Sequence, residues 1–323
     1  MGFFNRAPMP DKPQIEEQEV PSLPGSPPPS KDGVRDFWQH WDYLLSMVPE
    51  LGEFGVPVLD AVGLTLNESI IADRNFGSDI KVGDVIISKG TKIIPRMLAL
   101  LAGMGIRKVM ARPSPRVLIM ALSETAIPAS YLVAGQAAQA GAQAHRLEYI
   151  YNSASLLINA ITEQLVRADL VVTVGGLDEA GLDLRDIADQ IGSNDFEPVA
   201  ISPGREHGFI LAEEKVPVLC LPADTYPSFV LTKLVLEPMI AKLMGASTDP
   251  ELSAAYLAQP LRVVPHMLTC VPATVQDSRM MITGRPHGIE GMNTIYRSNA
   301  LAILANDEGL VDENTETFYL PLN

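Results

Sequence analysis

The stretch Ala168-Asp169-Leu170-Val171-Val172-Thr173-Val174-Gly175-Gly176 decides how the rest of the chain reads. Leu170, Val171, Val172 and Val174 form a short apolar run rich in β-branched side chains, which is the composition of a strand buried on both faces of a parallel sheet. Gly175 and Gly176 end it. Open α/β sheets bind ligands just beyond the carboxyl ends of their strands, where glycine lets a ligand approach the backbone closely, so the pair is a candidate binding loop. A plain strand-to-loop turn has the same letters.

Strand and helix patterns alternate on both sides of this stretch. Residues 117–122 are an apolar strand, and 129–141 an alanine-rich helix ending at glycine, as helices commonly do. Residues 145–150 read as the next strand, and 153–167 as an amphipathic helix that delivers the chain into 170–174. Beyond the glycines, 182–191 predicts a helix, 199–204 a strand and turn, 216–221 a strand stopped by Pro222, and 229–244 a long apolar helix closed by Gly245. This order is that of a doubly wound α/β domain, assigned here to residues 115–247.

The whole-chain numbers narrow the function classes. With 323 residues and 47% hydrophobic content, two or three domains is the expectation. The net charge of -15 opposes binding to a nucleic-acid backbone or an anionic membrane surface, both of which need a basic stripe. Cys220 and Cys270 stand far apart without CxxC or Cys-His spacing, which suggests neither a zinc site nor a disulfide framework and fits a cytoplasmic location. No apolar run reaches transmembrane length. No GxSxG elbow or Cys-His constellation supports nucleophilic catalysis, and His266 and His287 lack a partner at metal-ligand spacing.

Residues 1–33 are dense in proline, glycine, serine and acids, and read as a disordered or polyproline-like tail. From Val34 the pattern turns helical, with Phe37, Trp38, Trp41, Leu44, Leu45 and Val48 predicted on one apolar face for core or dimer packing. Residues 34–114 then read as an N-terminal region containing a helix at 60–71, a strand at 85–87, a helix at 94–104 and a strand at 107–110. Residues 248–323 read as a small β domain with strands at 261–264, 267–271, 280–283, 301–304 and 317–320.

The run Gly77-Ser78-Asp79-Ile80-Lys81-Val82-Gly83-Asp84-Val85-Ile86-Ile87-Ser88-Lys89-Gly90-Thr91-Lys92-Ile93-Ile94-Pro95 carries a resemblance, continued by Leu98 to Gly105 and by Pro115-Arg116-Val117. It resembles the molybdopterin molybdotransferases of the bacterial MoeA and gephyrin E-domain type, over about residues 34–323. The resemblance implies a MoaB/Mog-like doubly wound domain, an elongated N-terminal α+β region used for dimerisation, and a small C-terminal β domain.

It also implies a ligand rim. The family pattern Ser-Gly-Gly-x-Ser-x-Gly-x-x-Asp corresponds to Val174-Gly175-Gly176-Leu177-Asp178-Glu179-Ala180-Gly181-Leu182-Asp183, with a serine replaced by Asp178 and a glycine by Ala180. Lys-Pro-Gly-Lys-Pro corresponds to Ser202-Pro203-Gly204-Arg205-Glu206, and Leu-Pro-Gly-Asn-Pro to Leu221-Pro222-Ala223-Asp224-Thr225. Asp79 and Asp183 occupy positions at which the family keeps acids for molybdate handling; Asp79 as a turn residue and Asp183 at a helix start is the competing structural account. The ligand-binding candidates are therefore Gly175, Gly176, Asp178, Pro203, Gly204, Pro222 and Asp224, and the catalytic candidates Asp79 and Asp183.

Two absences set this chain apart from the family. Residues 123–128 replace the Thr-Gly-Asp-Glu loop and the Asp-Ser-Asn turn, leaving only Glu124, and Arg74 to Phe76 stand where the family inserts a whole domain. Three functions follow as expectations: a catalytically degenerate member acting as a scaffold or regulator, an active molybdotransferase using molybdopterin and Mg2+, or a pterin- or nucleotide-binding module. The resemblance further implies a homodimer and, by analogy with gephyrin, a protein or peptide partner near the junction of the α/β and C-terminal domains.

Overall fold

The computed structural model describes residues 25–30, 33–148, 153–177, 183–213, 215–284 and 288–322. Residues 1–24, 31 and 32 of the tail expected at 1–33, together with Asp178 and His287, lie outside them.

Helix α1 (Phe37–Ser46) is capped by Asp36, whose carboxylate accepts from the Gln39 amide at 3.0 Å. Its buried face is Phe37, His40, Trp41, Leu44 and Leu45. Trp38 departs from the expected stripe: it is 39% exposed, because the 3.6-residue period carries the inward face from 37 to 40 and 41 and turns 38 aside. The face packs into the core of the α/β domain, beside Val235, Met239 and Leu243.

The N-terminal region holds its own core, built around Val56, Leu66, Ile70, Ile87, Ile93, Leu101 and Val109. Strands β1 (Phe54–Pro57), β2 (Thr65–Leu66), β3 (Ile70–Ile71) and β4 (Val85–Ile87) precede helix α2 (Pro95–Gly103) and strand β5 (Lys108–Arg112). The helix expected at 60–71 does not form. A 3-10 turn at Val58–Ala61 ends at Val62, Gly63 takes a φ of 87°, and β-branched Thr65 and Ile70 enter strands instead. Cross-strand bonds from Leu66 N to Thr91 O and Ile93 N to Leu64 O replace the helical ones. β3 and β4 pair directly, and the connection between them folds back on itself through Ala72 N to Asp84 O and a Phe76–Ile80 bridge.

The α/β sheet runs β7-β6-β8-β12-β11-β9. Strands β6 (Arg116–Ala121), β7 (Gln143–Glu148) and β8 (Leu170–Val174) are parallel, with helices α3 (Ile127–Ala140) and α4 (Ala154–Leu165) between them. All five side chains of β8 are buried, as a two-faced core strand requires. α3 ends at Gly141 in the left-handed conformation, where α-helices commonly terminate.

After β8 the chain departs from strict alternation. The helix expected at 182–191 is two 3-10 turns, Leu184–Asp186 and Ala188–Gln190. Strand β9 (Gly192–Asp195) begins immediately afterward and leaves no length for an α-helix. Gly192 lies so close to β11 that a Cβ there would stand 2.1 Å from the Leu211 carbonyl oxygen. β10 (Ile201–Ser202), expected in the α/β domain, pairs with the C-terminal sheet, Ile201 opposite Leu268. β11 (Gly208–Ala212) lies antiparallel to both β9 and β12 (Val216–Leu221), while β12 is parallel to β8.

The long helix expected at 229–244 begins earlier. α5 (Thr225–Leu231), capped by Asp224, passes through one π turn at Thr232–Leu236 into α6 (Glu237–Leu243).

The C-terminal sheet contains β13 (Ser253–Leu257), β15 (Leu268–Gln276), β16 (Arg279–Ile282), β17 (Ala300–Leu304) and β19 (Glu316–Pro321), with β10 at its edge; β14 (Leu261–Arg262) pairs separately with β18 (Leu310–Val311). Helix α7 (Gly288–Arg297), unexpected from the sequence, packs against α5 and β15. Leu268, Cys270, Leu301 and Ile303 extend the α/β core into this sheet, and the Tyr226 hydroxyl donates to the Cys270 carbonyl. Cys220 and Cys270 are both free and buried, and burial pushes the Cys220 thiol up to about 12.

Candidate functional site

Loops at the carboxyl ends of β8 and β12 meet through the Gly175 amide, which donates to Leu221 O at 2.9 Å. This places Gly175 beside Pro222 and Asp224. Both glycines of the pair have positive φ, 87° at Gly175 and 77° at Gly176. The space left by the missing Cβ of Gly176 is taken by protein: that atom would stand 3.1 Å from Leu122 Cδ1 and 3.3 Å from Leu184 Cγ. Packing of two leucines explains this glycine without a ligand.

Pro222, Asp224, Asp183 and Asp79 each have a local partner. Pro222 gives its carbonyl to the Ser228 hydroxyl at 2.6 Å. Asp224 caps α5 by accepting from the Tyr226 amide at 3.1 Å. Asp183 caps the first 3-10 turn by accepting from Arg185 N at 2.9 Å. It also takes the Arg185 guanidinium in a two-oxygen contact, Nε to Oδ1 at 3.0 Å and Nη2 to Oδ2 at 2.6 Å. Asp79 lies in the connection between β3 and β4, in another sheet, and accepts from the adjacent Ser78 hydroxyl at 2.6 Å. The two catalytic candidates thus stand on separate elements of the fold.

Arg185 was not singled out from the sequence, yet it links two rim loops. Its guanidinium reaches Glu206 at 4.0 Å, and Arg205 approaches the same carboxylate at 3.7 Å. Asp183, Arg185, Arg205 and Glu206 therefore form a charge-compensated group in which the anion gained at 206 meets a cation from the 183–186 turn. Local compensation of this kind is weak in energy at an exposed rim but fixes which groups face outward.

Among the described residues no three His, Cys, Asp or Glu side chains are grouped to hold a metal. Mg2+ is ordinarily held by one or two carboxylates with water and substrate phosphates, and of the rim acids Asp183 is engaged by Arg185.

Behind the Pro203–Gly204 loop lies a buried polar cluster. Arg35, which bridges to Val199 just before α1, forms a 2.6 Å ion pair with Asp195 at the end of β9. The Arg35 Nη1 is 3.1 Å from His40 Nδ1, His40 Nε2 is 3.0 Å from His207 Nε2, and His207 Nδ1 is 2.8 Å from Gly204 O. Arg35, His40 and His207 are 1%, 2% and 3% exposed. Desolvation, then the neighbouring His207 and Arg35, pushes His40 down to about 2. Desolvation pushes His207 down to about 4, against the Gly204 hydrogen bond and Asp195, which favour its charged form. The available sequence signal was the i, i+3 spacing of Phe37 and His40, which puts a histidine on the apolar face.

Solved structures share this architecture. A molybdenum cofactor biosynthesis protein from Pyrococcus furiosus superposes over 90% of this chain and 100% of its own, with a TM-score of 0.70 at 22% identity. The moeA molybdopterin biosynthesis protein from Pyrococcus horikoshii gives a TM-score of 0.73 over 90% of this chain at 14% identity. The fold is thus that of the MoeA proteins of molybdopterin biosynthesis.

Sequence comparison points the same way. Molybdopterin molybdenumtransferase 1 of Mycobacterium tuberculosis is 29% identical over 187 residues, 53% of this chain and 44% of the relative. The Bacillus subtilis molybdopterin molybdenumtransferase is 29% identical over 247 residues, 71% of this chain and 57% of the relative. The chain spans about half the length of these curated relatives, and no family model matches it. In sequence it is similar, at low identity, to the molybdopterin molybdenumtransferases, and in fold to the MoeA proteins. No helix among the described residues is long and apolar enough to cross a membrane.

Proposed function

We propose that this chain is a catalytically degenerate MoeA-like protein that acts as a scaffold or regulator rather than as a molybdotransferase. The observation that carries this reading is the engagement of Asp183 by Arg185, which also reaches the Glu206 carboxylate. A carboxylate held in a two-oxygen contact by its own turn is poorly placed to handle molybdate or a metal, because electrostatic catalysis needs groups preorganised toward the reacting atoms. The occupied space at Gly176 and the missing acidic loop at 123–128 support the same reading.

The proposed partner is a protein or peptide at the junction of the α/β and C-terminal domains, where β10 joins the C-terminal sheet, and the proposed assembly is a homodimer through the N-terminal region. The active alternative, insertion of molybdate into adenylylated molybdopterin with Mg2+, draws support from one feature, the cationic Arg185 and Arg205 side chains at the rim. Isothermal titration with molybdopterin and with its adenylylated form, each with and without molybdate and Mg2+, separates the two. The scaffold reading expects no detectable heat from a protein shown to be folded by circular dichroism; micromolar or tighter binding supports the alternative.

A further inference from the structure

We propose that Arg35, His40 and His207 form a one-directional hydrogen-bond chain through which the segment entering α1 holds the Gly204 carbonyl of the rim loop in place. All three are positioning residues. The rim is meaningful as a ligand or partner surface only on the reading given above, but the chain itself does not depend on that reading.

The proton positions follow from the chemistry at the two ends. A guanidinium offers only donors, so the His40 Nδ1 that stands 3.1 Å from Arg35 Nη1 must accept and carry no proton. At the other end Gly204 O is an acceptor, so His207 Nδ1, 2.8 Å away, must carry one. Neutral His40 then has its proton on Nε2, and neutral His207 has a bare Nε2. These two atoms face each other at 3.0 Å, one donor against one acceptor. Every contact is satisfied by this single arrangement, and adding a proton to either ring sets donor against donor at one contact.

The chain is anchored on the far side by Asp195, whose Oδ2 takes Arg35 at 2.6 Å while its Oδ1 accepts from the Glu197 amide at 3.1 Å. The Arg35 backbone is fixed as well: its N–H donates to Pro198 O at 2.8 Å and its carbonyl accepts from Ala200 at 2.7 Å. At the loop end Gly204 has a φ of 107° and lies against Leu231 of α5, so the loop has one packed side and one polar tie. With its carbonyl turned inward to His207, the loop presents Arg205 and Glu206 to the rim. Arg35 and His40 thus act on a surface they do not touch, through the tautomer of His207.

Nitrogen-resolved NMR of the full chain labelled at histidine tests the chain directly, since the two tautomers of a neutral ring have distinct nitrogen shifts. At pH 7, His207 is expected as the Nδ1–H form and His40 as the Nε2–H form. An imidazolium at either ring, or the Nε2–H form of His207, overturns the proposal. Two variants read the consequence by amide hydrogen exchange. His40→Leu removes both contacts and is expected to speed exchange about tenfold or more at Val199, whose N–H donates to the Arg205 carbonyl of the rim loop at 3.1 Å, while β8 and β12 keep their protection. His40→Gln, whose amide both accepts and donates, is expected to restore slow exchange. Acceleration across β8 and β12 as well, or failure of the Gln variant to rescue a folded protein, contradicts the assignment. None of these readouts uses molybdopterin, so failure of the proposed function is scored separately by the titration above.

Discussion

The indole N–H of Trp41 donates to the backbone carbonyl of Leu234 at 2.7 Å, an acceptor that Pro238, four residues later in the same helix, has no N–H to serve. The π turn at Thr232–Leu236 lies at the same place. A helix interrupted by proline must satisfy its freed carbonyl from outside, and here the donor is supplied by α1 across the core. The tryptophan is therefore part of the continuity between α5 and α6.

Trp41→Phe keeps an apolar ring and removes the donor, so it is expected to cost about 1–3 kcal/mol in stability. Pro238→Ala returns an N–H to the helix and is expected to reduce that cost. Chemical denaturation of the two single variants and the double variant measures the coupling. A coupling energy near zero would separate Trp41 from the helix interruption.

The buried histidine pair predicts acid sensitivity with a definite sign. His207 and His40 are held neutral in the fold, with pKa values pushed down to about 4 and about 2, against about 6.5 in an unfolded chain. The unfolded chain binds these protons first, so their contribution to stability is complete above about pH 6.5 and is lost as the pH falls toward the folded values. The charged groups facing the pair are Arg35 and Asp195, with Tyr43 under the Arg35 guanidinium. Unfolding free energies from chemical denaturation at pH 7 and pH 5 are expected to differ by about 2 kcal/mol for each ring that titrates. A stability that is flat across this interval would show that the rings are not neutral and buried together.

How much of this was legible beforehand depends on what each signal encodes. The run from Leu170 to Gly176 announced its strand because burial on both faces needs continuous apolar β-branched residues, and the order of strands and helices around it carried the fold. The segment at 60–71 misled because its helical spacing competes with cross-strand bonds to Thr91 and Ile93, which are long-range and leave no local pattern. Likewise Leu184, Ile187 and Ile191 have helical spacing, but the edge strand beginning at Gly192 breaks the turn. Of the rim, glycines and prolines were readable, whereas the partners of Asp183 and Gly204 were not. Arg185 and His207 are ordinary letters until the fold brings a carboxylate or a carbonyl to them.

At the rim, Asp183→Ala and Arg185→Ala remove the same ion pair, whose side chains are 23% and 35% exposed. Each is expected to cost about 1 kcal/mol or less, because exposure screens the pair and the local cap is modest. The double variant is expected to cost less than the sum of the two single ones, because the shared ion pair is lost only once, as measured by urea denaturation. Fully additive losses would mean that the two residues act through different partners.

Gly176→Ala forces a side chain into a φ of 77° and sets its Cβ 3.1 Å from Leu122 Cδ1. The expected loss is about 1–3 kcal/mol, from backbone strain and overpacking together. Thermal denaturation checks it. An unchanged melting temperature would return the glycine pair to a ligand role.

Turnover decides whether the rim still does chemistry. Purified full-length protein is mixed anaerobically with adenylylated molybdopterin, molybdate and Mg2+, and molybdenum bound to the pterin is quantified over time. A degenerate rim leaves no pterin-bound molybdenum above the protein-free blank, with the protein folded throughout. Accumulation beyond one equivalent per chain would contradict it and show that Asp183, despite its pairing with Arg185, serves a working active site.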